Sequence, residues 1–454
     1  MPQLSFRGGI HPLQKTHHGK GLTNQLPIRE AEAPKLVAIP LVQHIGAPCA
    51  PCVSAGDSVY MGQKIGQVRG YVSAPVHASV SGKVVAVEPR LVAGGATPLC
   101  VVIENDFQDR WDPSIAPMDP ALLDREALLS RVLEGGIVGM GGATFPAHVK
   151  LSPPKDKKID FLLLNGAECE PYLSADHRVM LERAQGVLQG VAILQRILNA
   201  SRCIIGVEAN KKDAFQALEQ AAQGSGVELK LMKVKYPQGS EKQLVQALTG
   251  RQVPSGKLPM DAGCVVVNVS SAYAVYEAVA LGRPLISRVV SVTGEGVNQP
   301  ANLQVRIGDS VASLLRQCGG LKEDVERLVS GGPMMGIAVP DLDQPVLKNT
   351  NAVLAMTEAD AVLPEPTACI RCGRCIRHCP LRLMPSHIVA AYEAGNMERL
   401  AELKVNLCME CGCCSFGCPA HRPLVQTNKL AKAKVTAWRK AQSEKLDAKK
   451  EAVK

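Results

Sequence analysis

The sequence predicts a multi-domain α/β protein that ends in a helical, cysteine-rich module. Three observations carry this. The chain has 454 residues, room for about three domains at roughly 150 residues each. Between residues 159 and 280, apolar strand-like runs alternate with helical patterns, as in an α/β domain. The last third holds eight cysteines in two copies of one spacing, which marks a metal-binding module.

Composition excludes several classes. Apolar residues make up 46% and charged residues 20%, the balance of a folded, soluble chain. Aromatics are only 3%, so the cores are aliphatic and a base-stacking platform for nucleic acid is not expected. No apolar run approaches the roughly 18 residues of a membrane helix, and Met1–Gln14 has no apolar segment of a secretion signal. The net charge of +9 is a property of the tail: residues 421–454 hold ten Lys or Arg against three acids, a net of +7. Such a terminus is expected to be solvated and frayed; contact with anionic lipid or an acidic partner is the other reading.

Along the chain, residues 34–104 alternate short β runs with turns such as Gly56-Asp-Ser and Ser81-Gly82, a small β domain. A helix follows from Arg125 and stops at Gly135-Gly136. Then comes Gly139-Met-Gly141-Gly142-Ala143-Thr-Phe145-Pro, with Lys150 beyond. Three glycines within four positions let a backbone approach a phosphate and offer it amides. The dinucleotide fingerprint is absent, because Thr144 stands where a third glycine belongs and no strand clearly precedes; a flexible turn and a phosphate cradle both remain open. The buried-strand run Ile159–Leu164 leads into Asn165-Gly-Ala-Glu168-Cys-Glu170-Pro-Tyr172. Carboxylates and an amide at the carboxyl end of a strand sit where open α/β sheets bind ligands. Further strands are expected at Cys203–Glu208, Lys230–Tyr236 and Cys264–Val269, the last carrying Asn268. Residues 287–345 form another small mixed domain.

Cys369, Cys372, Cys375 and Cys379 form C-x₂-C-x₂-C-x₃-C-Pro, and Cys408, Cys411, Cys414 and Cys418 repeat it. This is the two-cluster ferredoxin run, in which the fourth cysteine of each copy ligates the other cluster. One [4Fe–4S] cluster is therefore assigned to Cys369, Cys372, Cys375 and Cys418, the other to Cys379, Cys408, Cys411 and Cys414. Zinc sites favour single four-ligand sets, often with His, and disulfides do not suit a chain without an export signal. The intervening residues 380–407 favour helix. Cys413 is off the pattern and reads as a spare thiol; the other cysteines read as core or surface thiols.

These residues resemble a known family. The glycine loop, the Asn165–Tyr172 strand end and Asn268 are similar to the flavin-binding NADH subunit of respiratory complex I. The whole chain, from Phe6-Arg-Gly-Gly-Ile-His11-Pro through Lys235–Pro237, Gly239 and Gln252–Gly256 to the doubled cysteine run, resembles the RnfC (RsxC) family, peripheral subunits of Rnf electron-transport complexes. The resemblance implies a barrel-sandwich hybrid of lipoyl type at 34–106 after an arm at 1–33, an α/β flavin/nucleotide domain at 122–286, a ubiquitin-like SLBB domain at 287–345, a helical two-cluster ferredoxin module at 364–424 and a basic tail at 425–454. No carrier-lysine loop is present in the β domain, so a structural or docking role is expected for it.

The resemblance also implies roles. Gly139, Gly141, Gly142, Ala143 and Lys150 would cradle FMN phosphate and nucleotide. Asn165, Glu168, Tyr236, Gly239 and Asn268 would hold the flavin, Phe145 would stack on the nicotinamide, and Glu170 and Glu241 would face the nucleotide. Met140, Thr144, Ala167 and Ser240 depart from the complex I pattern of Arg, Gly, Asp and Glu. The expected activity is NADH-linked electron transfer through FMN and two [4Fe–4S] clusters, coupled by integral-membrane and ferredoxin-like partner subunits to ion translocation, at the cytoplasmic face of the cell inner membrane. Ferredoxin or flavodoxin would be the distal partner, with no nucleic acid. A soluble flavin/iron–sulfur reductase, such as a cobalamin reductase, and a relay without a working nucleotide site are the alternatives.

Overall fold

A parallel four-stranded sheet lies at the centre of the computed structural model, which describes residues 3–12 and 17–452. Before it come a short strand, β1 (Ile28–Glu30), and seven strands of a β domain: β2 (Leu36–Pro40), β3 (Ala50–Pro51), β4 (Ser58–Val59), β5 (Lys64–Gln67), β6 (Val76–His77), β7 (Gly82–Pro89) and β8 (Leu99–Asn105). They form two antiparallel sheets, β2-β8-β7-β4 and β3-β5-β6. β-Branched residues of both sheets, among them Val37, Ile39, Ile65, Val76, Val84 and Ile103, close over one core.

The central domain begins with α1 (Arg125–Glu134), capped by Asp124, whose carboxylate accepts from Ala127 N at 2.8 Å. After α2 (Ala147–Lys150) come β9 (Phe161–Gly166), α3 (Ala175–Glu182), α4 (Ala184–Leu198), β10 (Arg202–Glu208), α5 (Lys212–Ala221), β11 (Glu228–Met232), α6 (Glu241–Thr249), β12 (Cys264–Asn268) and α7 (Val269–Ala280). β9 and β12 are almost wholly apolar because helices cover both faces of a parallel sheet. α4 crosses α7 so closely that a Cβ on Gly190 would lie 1.8 Å from the Ala272 carbonyl oxygen. The strand expected to reach Tyr236 ends at Met232: the chain leaves β10 there and pairs with the N-terminal arm, Lys233 N donating to Leu4 O and Tyr236 N to Ile10 O, each at 2.9 Å.

The next domain is built on β13 (Ser287–Thr293), β14 (Ala301–Arg306), α8 (Val311–Gln317), β15 (Val325–Ser330), β16 (Ile337–Ala338), β17 (Ala352–Thr357) and the short α9 (Glu358–Ala361). Its sheet runs β1-β14-β13-β17-β15-β16. It thus takes one strand from the N-terminal arm and one from beyond residue 345.

The cysteine-rich module is helical, with α10 (Arg374–His378), α11 (Pro385–Glu393), α12 (Met397–Glu402), α13 (Cys413–Phe416) and α14 (Leu424–Ala452). The basic tail was expected to fray. Instead it starts as the continuous helix α14, which buries Leu424, Asn428, Ala431 and Val435 on the module at the spacing of one helical face. The side chains of the tail's last lysines, Lys445, Lys449, Lys450 and Lys454, lie outside the described residues. The arm ties module to centre: Gly9 N donates to His378 O and Ile10 N to Tyr236 O, both at 2.8 Å. No helix among the described residues is long and apolar enough to cross a membrane.

Candidate active site and cluster module

The order β11-β10-β9-β12 means the chain builds outward from β9 on one side, then returns to place β12 on the other. The carboxyl ends of β9 and β12 flank the reversal, and open α/β sheets bind ligands in such a crevice. Asn165 and Asn268 are direct register partners there. Asn165 Nδ2 donates to Gly239 O at 2.7 Å. Asn268 caps α7, accepting from Ser271 N at 3.2 Å, and donates to Asp176 Oδ2 at 2.7 Å. Ser270 Oγ donates to the other Asp176 oxygen.

The glycine loop arches over this helix start. Gly139 N donates to Phe145 O at 3.0 Å, which closes the loop, and Met140 N donates to Ser271 Oγ at 2.8 Å. Gly141 lies against the cap: a Cβ there would be 2.9 Å from Asn268 Nδ2. Gly142 has open space around it. The amides of Gly141, Gly142 and Ala143 make no hydrogen bond among the described residues. Free amides above a helix N-terminus suit an anion, and the loop thus fits a phosphate. Thr144, at the position of the missing glycine, holds a left-handed φ of 50°, costly for a β-branched residue. Lys150 pairs with Glu241 at the start of α6 and donates to Val266 O at 3.0 Å. The structure therefore gathers Gly139, Gly141, Gly142, Ala143, Phe145, Lys150, Asn165, Gly239, Glu241 and Asn268 around one crevice.

Glu168, Glu170 and Tyr236 are engaged by other partners. Glu168 adopts a left-handed φ of 42° and accepts from the Asp176 and His177 amides at 2.7 and 3.2 Å, holding the start of α3. Burial raises its pKa, and the Lys20 ammonium nearby opposes that. Lys20, from the N-terminal arm, donates to the carbonyls of Glu168, Glu170 and Leu173 at 2.9, 2.8 and 2.5 Å. Glu170 turns away from the glycine loop and accepts from Met334 N at 3.2 Å; burial pushes it up to about 7. The Tyr236 ring is fully buried against Ile10, Cys411 and Cys413. Residues 236–240 are consequently a shared wall. On one side Gly239 meets Asn165; on the other Ser240 Oγ lies 3.7 Å from Met409 Sδ.

Beyond the wall, Cys379, Cys408, Cys411 and Cys414 line one small cavity with Leu381, Leu383 and Val425. Four thiols converging on one space, Cys411 and Cys414 buried and Cys379 and Cys408 half-buried, suit a cluster held by thiolates. Cys413 is buried and its Sγ faces the Tyr236 carbonyl. Lys432 of α14 donates to Cys408 O and pairs with Glu410, both at 2.8 Å. Of the other set, Cys375 and Cys418 pack in one apolar group with Val389 and Leu424, while Cys369 and Cys372 are exposed.

Sequence reasoning passed over Lys20, Asp176, Arg288 and Lys348, all of which brace the crevice. The one visible signal was a charged residue inside an apolar strand pattern, Arg288 in Ser287–Thr293.

Four family profiles match in the order of the folded units: the RnfC barrel sandwich hybrid domain at 4–108, the Nuo51 FMN-binding domain at 132–277, the SLBB domain at 289–338 and a 4Fe-4S dicluster domain at 361–419. The C-subunit of the Na(+)-translocating ferredoxin:NAD(+) oxidoreductase complex of Acetobacterium woodii is 46% identical over 395 residues, 87% of this chain and 88% of that one. The chain belongs to the C-subunit family of ion-translocating oxidoreductase complexes. Other members are the C-subunit of the proton-translocating ferredoxin:NAD(+) oxidoreductase complex of Clostridium ljungdahlii, 46% identical over 84% of this chain and 83% of its own, and that of the ion-translocating oxidoreductase complex of Rhodobacter capsulatus, 41% identical over 96% and 84%. The C-subunit family thus unites an FMN-binding domain with a 4Fe-4S dicluster domain in one chain. Among solved structures, the NAD+-reducing [NiFe]-hydrogenase in its H2-reduced state shares the fold over 69% of this chain and 63% of its own, at TM-score 0.50 and 18% identity.

Proposed function

We propose that this chain exchanges electrons between NADH and the one-electron carriers of an ion-translocating complex, as a peripheral subunit on the cytoplasmic face of the cell inner membrane. The observation that carries the proposal is the wall at residues 236–240, one peptide thick, which joins the switch-point crevice to the cavity of Cys379, Cys408, Cys411 and Cys414. FMN, when bound, supplies the conversion between hydride and single-electron chemistry. The chain's own residues do the rest. The amides of Gly141–Ala143 take phosphate; Asn165, Gly239 and Asn268 fix the ring's place; Phe145 and Glu241 border the nicotinamide side. Glu168 and Lys20 hold the loop that shapes the floor, and Glu170 and Tyr236 keep water out of the wall. Partner subunits, integral-membrane and ferredoxin-like, would meet the exposed side of the cysteine-rich module, with ferredoxin or flavodoxin beyond them. An anaerobic titration of the FMN-loaded chain with NADH tests this. Bleaching of the flavin band followed by the broad cluster absorbance is expected; clusters that stay oxidised in a chain that binds FMN would overturn it.

A further inference from the structure

Three buried cations brace the crevice, and each donates only to backbone carbonyls. Lys20 holds the Glu168–Leu173 loop. Arg288, on β13 of the neighbouring domain, is 3% exposed and donates to Val289 O at 3.2 Å, to Lys348 O, and to Met140 O at 3.4 Å. Lys348 is 1% exposed and donates to Pro75 O at 3.2 Å and Gly136 O at 2.7 Å. Neither Arg288 nor Lys348 forms an ion pair among the described residues. Asp176 and Glu168, whose charges bear on Arg288, are already bonded to Asn268, Ser270 and the first amides of α3.

A buried cation without a direct ion-pair contact is destabilising, and an apolar side chain of similar volume would normally serve better. Here the two cations grip both ends of one segment. Lys348 takes the carbonyl of Gly136, where the glycine loop begins, and Arg288 takes that of Met140, at its crest. Across a trans peptide the N–H points opposite to the C=O. Turning the Met140 carbonyl toward Arg288 therefore turns the Gly141 amide away from it, to the side where Gly141, Gly142 and Ala143 offer free N–H groups. Burial lowers both cations, Arg288 to about 10 and Lys348 to about 8, so both remain charged at neutral pH.

We propose that Arg288, seconded by Lys348, is a positioning residue for bound nucleotide: it aims the amides of Gly141–Ala143 and places a buried positive charge behind them, so that the SLBB-type domain completes a phosphate site on the α/β domain. The occupant is a phosphate group, either the monoester of FMN or the pyrophosphate of NADH. This rests on the reading of the crevice as a flavin and nucleotide site.

Equilibrium binding to the full chain, depleted of flavin, distinguishes the cases. Riboflavin lacks the phosphate of FMN, and reduced nicotinamide riboside lacks the pyrophosphate of NADH. Arg288→Met is expected to weaken FMN about tenfold or more while riboflavin stays within about threefold. Arg288→Lys, which keeps the charge, restores most of the difference. If instead the NADH-to-riboside ratio collapses and the FMN-to-riboflavin ratio does not, the charge serves the pyrophosphate. Equal weakening of all four ligands, or no change in either ratio, overturns the proposal. Cluster absorbance per chain and the melting temperature report folding. Should the Met variant not accumulate, Arg288→Gln, which keeps a donor for Met140 but removes the charge, carries the same comparison against Arg288→Lys. An unmodified chain that binds neither flavin would sink the flavin reading itself, whereas a chain that binds both with unchanged ratios sinks only the role of Arg288.

Discussion

The two cysteine loops share a backbone and differ in almost everything attached to it. Arg371 and Glu410 occupy the same place in each repeat, with φ of 55° and 60°; Gly373 and Gly412 follow with 71° and 77°; Arg382 and His421, past the prolines, have 55° and 50°. Each loop then starts a short helix, α10 or α13. Yet Cys369 and Cys372 of the outer loop are exposed, while Cys411 and Cys414 of the inner loop are buried. The inner loop carries Met409, Glu410 and Cys413, which meet Ser240, Lys432 and Tyr236. The outer loop shows Ile370, Arg371, Arg374 and Arg377 in the corresponding stretch, all exposed. The repeated spacing specifies how a cluster is held; the side chains between the cysteines specify what it faces. One loop packs on the wall of the protein's own crevice, the other faces outward.

That asymmetry can be tested at the cysteines. Cys411→Ser should abolish NADH-dependent reduction of the remaining cluster, a loss of 100-fold or more on the scale of a severed electron path (~2.7 kcal/mol or more in effective barrier). Cys372→Ser should leave the inner cluster reducible by NADH and remove only onward transfer to an added acceptor. Stopped-flow absorbance with low-temperature EPR reads both. If the two variants behave alike, the inner and outer assignment is wrong.

Charge gives a second handle. Reversing Arg371, Arg374 and Arg377 to Glu should slow association with an acidic acceptor by about 10- to 100-fold at low ionic strength, and much less at high salt. Reduction of the inner cluster by NADH should not change. A rate that is insensitive to both charge and salt would mean that partners dock elsewhere.

The arm that joins module to centre offers a third, smaller effect. Gly9 has φ of 73°, and a Cβ there would lie 2.5 Å from the Tyr236 carbonyl oxygen; Gly395 has φ of 66° with nothing within 4 Å. Gly395→Ala should cost about 1 kcal/mol from backbone strain alone. Gly9→Ala adds a steric clash where the arm passes between the wall and the first cysteine run, for about 2–3 kcal/mol in total. Chemical denaturation compares them, and equal losses would remove the arm from the coupling between the two units.

Much of this was legible in the sequence because it is local. Eight cysteines, a glycine cluster, and the amides at the ends of two apolar runs announce themselves within a dozen residues. What was not legible is carried by long-range contact. Lys20 binds carbonyls about 150 residues away, and Arg288 reaches Met140 across 148 positions; nothing beside either residue records its target. Glu170 reads as a site carboxylate from its neighbours, but its direction is set by Met334, 164 residues on. Strand β11 ends early because the arm supplies a new partner at Leu4 and Ile10, and β1 joins a sheet whose other strands lie far away in sequence. The helix α14 looked like a polar tail because lysines and other polar residues interrupt its apolar positions, and the face of Leu424, Asn428, Ala431 and Val435 is what the module buries.

A change remote from both loops separates the asymmetry from general stability. Asp309, in the domain that carries Arg288, is 1% exposed; its Oδ1 accepts from Ser310 N at 2.8 Å and its Oδ2 has no partner among the described residues. Burial raises its pKa from 3.8 to about 6. The native state therefore holds this proton between about pH 4 and 6 while the unfolded chain releases it, so the group's contribution to stability is full below pH 4 and is lost as pH rises through 6. At neutral pH a buried, half-satisfied carboxylate remains. Asp309→Asn should accordingly stabilise the chain by about 1–2 kcal/mol at pH 7, with little effect at pH 4, and flatten the profile between. Melting temperatures across that range check it. Electron transfer through either loop should be untouched, because no part of the domain's contact with the Glu170 wall or the Met140 carbonyl passes through Asp309. A variant that gained stability yet altered the difference between inner and outer clusters would show that the asymmetry belongs to the fold as a whole and not to the side chains of the two loops.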